Sequence, residues 1–306
     1  MNKSLVTGGA GYKGILLVKH LLDLGHHVTL VDNFMYGFDS VLHLSGEKNL
    51  EIIKLDIRNI ESRDLLKYDT VFHLAGISGM PACAANPSSA EFINVQATRL
   101  LASKMSKSQQ LIYASTTSIY GDASSYCDEN VHINPPSLYA KTKYEAEQIV
   151  MGRTNSVSLR FATIFGTSPR MRADLLVNDF TYKAINERSI VIFGSKSKRT
   201  FLHIKDAIEG YIFAFNNFNT MKDQVYNLGD ENLNFSKINI AEAIKKHIDF
   251  EIIDSSLPDL DIRDFIVSFS KIKNLGYNTK RTLDDGICDL LKLYRFYKVY
   301  SHFNTI

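Results

Sequence analysis

The chain has 306 residues, with 35 Lys and Arg against 33 Asp and Glu, a formal net charge of +2. A length that holds about two domains, with 45% hydrophobic and 22% charged residues, excludes a mainly disordered chain. The near-neutral balance argues against nucleic acid or an anionic membrane as the main partner. No run of about 18 apolar residues occurs, so no membrane span is expected. The first residues enter an apolar strand at once, and no secretion signal is expected. Cys83, Cys127 and Cys288 lie far apart with no CxxC pair. They read as reduced thiols of a cytoplasmic protein with no metal site.

In chain order, Ser4–Thr7 is a short apolar strand followed by glycines, and Ile15–Leu24 has helical spacing. His27–Asp32, Glu51–Leu55, Val71–Ala75 and Gln110–Ser115 read as further strands, and residues 87–107 and 137–151 as helices. Continuous apolar strands alternating with helices predict a parallel sheet covered on both faces. Beyond about residue 160 the alternation is irregular. Ile190–Phe193 and Val225–Leu228 are apolar, and helices are expected near 174–186, 205–216 and 235–247. The strands near 157–161 and 225–228 are candidates to return to the main sheet. The expected division is 1–165, with returning segments near 200–228, and 166–306, the second domain interleaved with the first and a ligand cleft between them.

Thr7-Gly8-Gly9-Ala10-Gly11-Tyr12-Lys13-Gly14 places Gly8, Gly11 and Gly14 at three-residue intervals after the first strand. Glycines there permit a tight turn, close approach of backbone N–H groups to a pyrophosphate, and close helix packing. A glycine triplet alone also suits a flexible turn; the strand before it, the helix after it and Asp32 ending the next strand favour a dinucleotide site. Asp32 suits the adenosine ribose hydroxyls. Asn33 and Phe34 supply no arginine for a 2′-phosphate, so NAD is expected rather than NADP. Asp56 and Ile57 follow the third strand, where Asp56 serves either adenine or a helix N-terminus. Leu74, Ala75 and Gly76 end the fourth strand with small residues that allow a cofactor close. Lys13 replaces the usual apolar residue of the loop. It reads as a phosphate or interface contact, or, with more weight, as a side chain pointing into solvent.

Tyr139 and Lys143 form a YxxxK pair after Pro135-Pro136 and the N-cap Ser137, on one face of a helix. An ammonium beside a phenol makes the phenol a usable general base. A second YxxxK, Tyr294/Lys298, reads as a chance surface match. The first is distinguished by the hydroxyl run Ser115-Thr116-Thr117-Ser118 ahead of Ile119-Tyr120-Gly121, in which Thr116 is placed to bind the same substrate oxygen.

Together TGGAGYKG, Asp32, STTSIYG and YAKTK resemble an extended short-chain dehydrogenase/reductase of the NAD-dependent nucleotide-sugar epimerase/dehydratase type. The likeness continues through LRFATIFG (159–166), KRTFLHIKDA (198–207), VYNLGD (225–230) and DIRDF…SKIKNLGY (261–277). It implies an α/β fold, a Rossmann doubly wound parallel sheet with a smaller, interleaved C-terminal α/β substrate domain. It implies Tyr139 as base, Lys143 as the group that lowers its pKa and holds the nicotinamide ribose, and Thr116 as the hydroxyl that orients the sugar. Tyr12 joins the cofactor contacts, and Asn94 falls on a structural asparagine near the catalytic helix. Thr117, Thr163, Asn178, Arg199 and Arg263 are the implied substrate contacts, with Arg199 gripping the pyrophosphate. Thr163 stands where the family has asparagine. Thr117 and Ser118 stand where dehydratases carry acidic groups, so elimination of water is not expected.

The resulting expectation is an NAD-dependent oxidoreductase acting at C4 of a nucleotide sugar, with 4-epimerisation first. The alternative is a 4-dehydrogenase that releases the keto sugar; a 4,6-dehydratase and a non-catalytic NAD-binding scaffold rank lower. GDP, UDP and dTDP remain open as the nucleotide, and surface-polysaccharide synthesis as the setting. A homodimer or homotetramer is the expected assembly.

Overall fold

The computed structural model describes residues 2–121, 126–257 and 264–299. Seven parallel strands form the main sheet: β1 (Lys3–Thr7), β2 (His27–Asp32), β3 (Leu50–Lys54), β4 (Thr70–His73), β5 (Gln110–Thr116), β6 (Ser156–Phe161) and β7 (Gln224–Leu228), in the order β7-β6-β5-β4-β1-β2-β3. The order reverses between β1 and β4, and in such sheets ligands bind outside the strand ends at that reversal.

The strands are apolar on both faces because both are covered. Leu5 belongs to one core and Val6 to the other; Leu111 and Tyr113 alternate in the same way with Ile112 and Ala114. Helix α1 (Gly14–Asp23) contributes Ile15, Leu17, Val18 and Leu21 to the core that Val6 joins. Helices α2 (Ala97–Lys104) and α3 (Leu138–Met151) bring Ala97, Leu101, Ala146 and Val150 to the opposite core.

The segment 87–107 is not one helix. It runs from a short turn, Pro87–Ala90, through a wide π-helical turn, Glu91–Gln96, into α2. Such wide turns concentrate at functional sites, and this one carries Asn94.

Beyond β6 a smaller unit is built around helix α4 (Leu176–Asn186), helix α6 (Lys237–Lys245) and helix α7 (Leu283–Tyr294), while helix α5 (Ile204–Asn216) packs on the main sheet with α1. Its core holds Phe165, Val177, Phe180, Phe201, Ile240, Ile287 and Leu290. Strand Lys198–His203 pairs there with Thr163–Phe165 and Asn234–Ser236, so it does not join the main sheet, whereas β7 does. Ser189–Phe193 pairs with Glu251–Ser255, and Tyr126–Cys127 with Ile266–Val267. Tyr294 is 2% exposed in this core and Lys298 lies past the helix end, so the second YxxxK is not a surface pair on one helical face.

Candidate active site

A cavity of about 700 Å³ opens over the carboxyl ends of the main strands, beneath the smaller unit. Gly8, Gly11, Tyr12, Lys13 and Gly14 line one end with Asp32, Asn33, Asp56 and Ile57. Gly8 has φ +68°, and a Cβ there would lie 2.7 Å from the backbone nitrogen of Ala75; at Gly14 it would lie 2.2 Å from the carbonyl oxygen of Gly8. The turn therefore brings bare backbone up to the cavity at the start of α1, the geometry that accepts a diphosphate. Asp32 ends β2 and is held by the amides of Ala10 (3.1 Å) and Phe34 (2.8 Å). Burial raises its carboxyl above the usual range, against the pull of those amides. Asp56 does begin a helical turn: it accepts from the Arg58 amide at 2.9 Å and pairs with its guanidinium at 2.6 Å, which lowers its pKa, and it lines the cavity as well.

Leu74, Ala75 and Gly76 form the floor after β4. A buried relay fixes them. Thr98 donates to the carbonyl of Asn94 (2.6 Å), so His73 Nε2 must donate to Thr98 (2.9 Å), which leaves Nδ1 to accept from Thr7 (2.7 Å). Thr7 in turn accepts from the Ala75 amide at 3.3 Å. Burial lowers the imidazole pKa to about 3, consistent with this neutral form. Asn94 is not on the cavity wall. Its Oδ1 accepts from the Ile77 amide (2.8 Å), and its Nδ2 donates to the Ile77 carbonyl (3.0 Å) and Thr142 (3.1 Å), joining the floor to α3.

At the other end stand Thr116, Ser118, Tyr139 and Lys143. Ser137 caps α3 by accepting from the Ala140 amide (3.2 Å), which sets Tyr139 in the first turn and Lys143 one turn on. Lys143 is 7% exposed, with Nζ 4.2 Å from the ring centre of Tyr113. Burial draws its pKa down to about 7, and the Glu147 carboxylate pulls the other way. Thr116 accepts from the Ser118 amide and donates to the Ser118 hydroxyl, both at 3.1 Å.

Two expected substrate contacts are placed elsewhere. Thr117 faces the sheet, because its hydroxyl donates to the carbonyl of Phe161 (3.2 Å), and it does not line the cavity. Asn178 is fully buried, accepts from the Gly166 amide (3.0 Å) and donates to the Arg172 carbonyl (2.8 Å), so it shapes a loop. Thr163 and Arg199 do line the cavity, and Arg263 lies outside the described residues. Lys13 does not point into solvent: its Nζ lies over the Phe161 ring, 3.8 Å from its centre.

The loop after Gly166 supplies wall residues that sequence reasoning missed. Arg172 makes a two-pronged pair with Asp174 (2.7 and 2.6 Å). Arg170 stacks 4.1 Å from the ring centre of Tyr36 and gives Nη1 to the Met171 carbonyl, while its Nε and Nη2 make no hydrogen bond among the described residues. The signal was present in Pro169-Arg170-Met171-Arg172, two arginines closely following a glycine turn. Lys237, also on the wall, gave none.

Comparison with known proteins agrees with this geometry. Residues 4–229 match the model of the NAD dependent epimerase/dehydratase family. UDP-glucuronic acid decarboxylase 1 of Arabidopsis thaliana is 29% identical over 95% of this chain and 69% of its own. The UDP-glucose epimerase YtcB of Bacillus subtilis, itself uncharacterised, is 32% identical over 68% of this chain and 71% of its own. Among solved structures, UDP-glucuronic acid 4-epimerase of Bacillus cereus, in complex with UDP-glucuronic acid and NAD, superposes with a TM-score of 0.83 at 25% identity, covering 96% of this chain and 99% of that one. The glycine cradle, the half-buried Asp32 and the Tyr139/Lys143 wall fit that cofactor, and the chain belongs to the NAD-dependent epimerase/dehydratase family of enzymes.

Proposed function

We propose that the protein is a 4-epimerase of a nucleotide-activated sugar, with a UDP sugar as substrate. The observation that carries this is the joint placement of Thr116, Tyr139 and Lys143 on one cavity wall, with hydroxyls rather than carboxylates at 117 and 118. Bound NAD supplies the hydride acceptor and donor. Tyr139 takes the proton of the C4 hydroxyl, and Thr116 holds the same oxygen through its hydroxyl. The Lys143 ammonium stabilises the developing phenolate charge. Once the 4-keto sugar turns its other face to the cofactor, Tyr139 returns the proton and the C4 epimer results. Arg170, Arg199 and Lys237 on the wall suit the charge of a sugar diphosphate. Asp32 and Asp56, with Leu74 to Gly76, serve the adenosine half of NAD.

The epimerase and UDP-sugar names of similar proteins support the reading. The three free cysteines support a reducing, cytoplasmic setting, and among the described residues no helix is long and apolar enough to cross a membrane. A homo-oligomer and a place in surface-polysaccharide synthesis go with this proposal as expectations from sequence.

The test is incubation with UDP-, dTDP- and GDP-linked hexoses and with UDP-glucuronic acid, followed by mass and NMR analysis. A product of unchanged mass, inverted at C4, is expected. Loss of carbon dioxide from the uronate, or release of a keto sugar as the sole product, would overturn it.

A further inference from the structure

The Lys13 backbone belongs to the glycine loop after β1, yet its ammonium lies three strands away along the sheet. Nζ is 3.8 Å from the ring centre of Phe161 and 5.6 Å from that of Tyr211. Phe161 ends β6 and is the register partner of Thr116. The side chain thus carries a charge from the phosphate end of the cavity to the end where Thr116, Tyr139 and Lys143 stand.

Among the described residues no carboxylate meets it there. The four acidic residues that the described residues place on the wall are engaged elsewhere: Asp32 with the Ala10 and Phe34 amides, Asp56 with Arg58, Asp174 with Arg172 and Asp179 with Lys183. Among the described residues the Lys13 amine has aromatic faces for company and no ion pair. An unpaired ammonium in a cavity is costly, and a ring face offsets only part of that cost. Burial, with the charges of Lys143 and Arg172, accordingly pulls the amine down to about 7. An apolar side chain would be easier to accommodate, so the charge is best understood through what fills the cavity.

We propose that Lys13 sets the redox balance of the bound dinucleotide, holding NADH more tightly than NAD. The reasoning is electrostatic: the oxidised nicotinamide ring is positively charged and the reduced ring is not, so a nearby cation disfavours only the former. The inference rests on the hydride-transfer reading above. It fits an enzyme that must keep reduced cofactor in place while a keto sugar turns over. A lysine touching the diphosphate behaves differently, because both redox forms carry the same diphosphate.

The test compares cofactor-free wild type with Lys13→Ile and Lys13→Met, titrated separately with NAD and NADH by calorimetry in slightly acidic buffer. Thermal midpoints without ligand establish that each variant is folded, and the two apolar shapes guard against a packing artefact. Expected is a fall of about tenfold or more in the ratio of the NAD to the NADH dissociation constant, equivalent to lowering the bound couple by about 30 mV. An unchanged ratio with both affinities weakened would make Lys13 a phosphate contact and overturn the proposal. If wild type binds neither nucleotide, the hydride-transfer reading itself fails, and this inference with it.

Discussion

The Tyr12 hydroxyl donates to the carbonyl of Gly166 across 2.6 Å and accepts from Asn178 Nδ2 at 3.3 Å. The Ser168 hydroxyl closes the same contact by donating to the Tyr12 carbonyl at 2.8 Å. The cofactor loop and the loop that carries Arg170 and Arg172 are therefore clasped together, although they lie in different units of the fold. Tyr12→Phe keeps the ring and the Ser168 bond and deletes the hydroxyl's part of the clasp. A stability loss of about 1–3 kcal/mol is expected, since a buried carbonyl loses its main donor. Urea unfolding measures it, and an unchanged midpoint would show that the clasp contributes nothing.

In the proposed function Asp32 discriminates between dinucleotides. Its carboxylate, fixed by two amides, would accept hydrogen bonds from ribose hydroxyls and repel a 2′-phosphate. NAD is expected to bind far more tightly than NADP, and replacing Asp32-Asn33 by Gly-Arg to narrow or reverse the preference. Equal wild-type affinities in a calorimetric titration would remove Asp32 from the ribose site.

Tyr139→Phe removes the proposed proton acceptor and preserves the ring. Folding and NAD binding should survive while turnover falls by about 10²-fold or more. Tyr294→Phe is the control: its ring packs among core residues, its hydroxyl makes no hydrogen bond among the described residues, and activity should hold near wild type. Equal behaviour of the two variants in a turnover assay would mean that the base is misplaced.

The Rossmann half was legible because its signals are local. Glycine spacing, strand-ending acids and the YxxxK pair each follow from short stretches whose geometry is set by the backbone. Side chains that act over distance were not legible. Lys13 sits in a turn where a lysine ordinarily points outward, and only the stacking of β6 beside β5 puts the Phe161 ring within its reach. Thr117 and Thr116 are neighbours in sequence, but the strand ends at Thr116, which caps the tight helical turn that Thr117 opens, and their hydroxyls go to different partners. Asn178 resembled a ligand contact, but its amide is committed to the Gly166–Arg172 loop, which no short motif announces.

The pH dependence of stability offers a check on the buried amine. In the ligand-free fold Lys13 titrates near 7, against about 10.4 in an unfolded chain. Between those values the unfolded chain holds a proton that the folded one has lost, so this residue makes stability rise with pH across that window. Below it both states are charged and the full penalty of burial is present. Lys13→Ile should therefore be more stable than wild type on the acid side of neutrality, with the advantage shrinking steadily toward alkaline pH. Lys143 contributes a slope of the same sign to both proteins and largely cancels in the difference. Thermal midpoints of the ligand-free pair across this range make the measurement, and a pH-independent difference would contradict the buried placement of the amine.

The fate of the C6 oxygen separates this chain from dehydratases. After oxidation at C4 the C5 proton becomes acidic, and elimination then needs one group to remove it and another to protonate the departing C6 hydroxyl. The Thr117 hydroxyl donates into the sheet, and Ser118 brings only a hydroxyl to the cavity. Among the described residues the wall carboxylates at the substrate end are Asp174 and Asp179, bonded to Arg172 and Lys183. Neither hydroxyl has acid–base strength for this work near neutral pH. Turnover in deuterated water is accordingly expected to leave C5 and C6 free of obligatory deuterium and to give a product that retains its C6 oxygen. A 4-keto-6-deoxy sugar, lighter by one water, would show that a carboxylate such as Asp174 leaves its arginine during the reaction, and the epimerase assignment would fall.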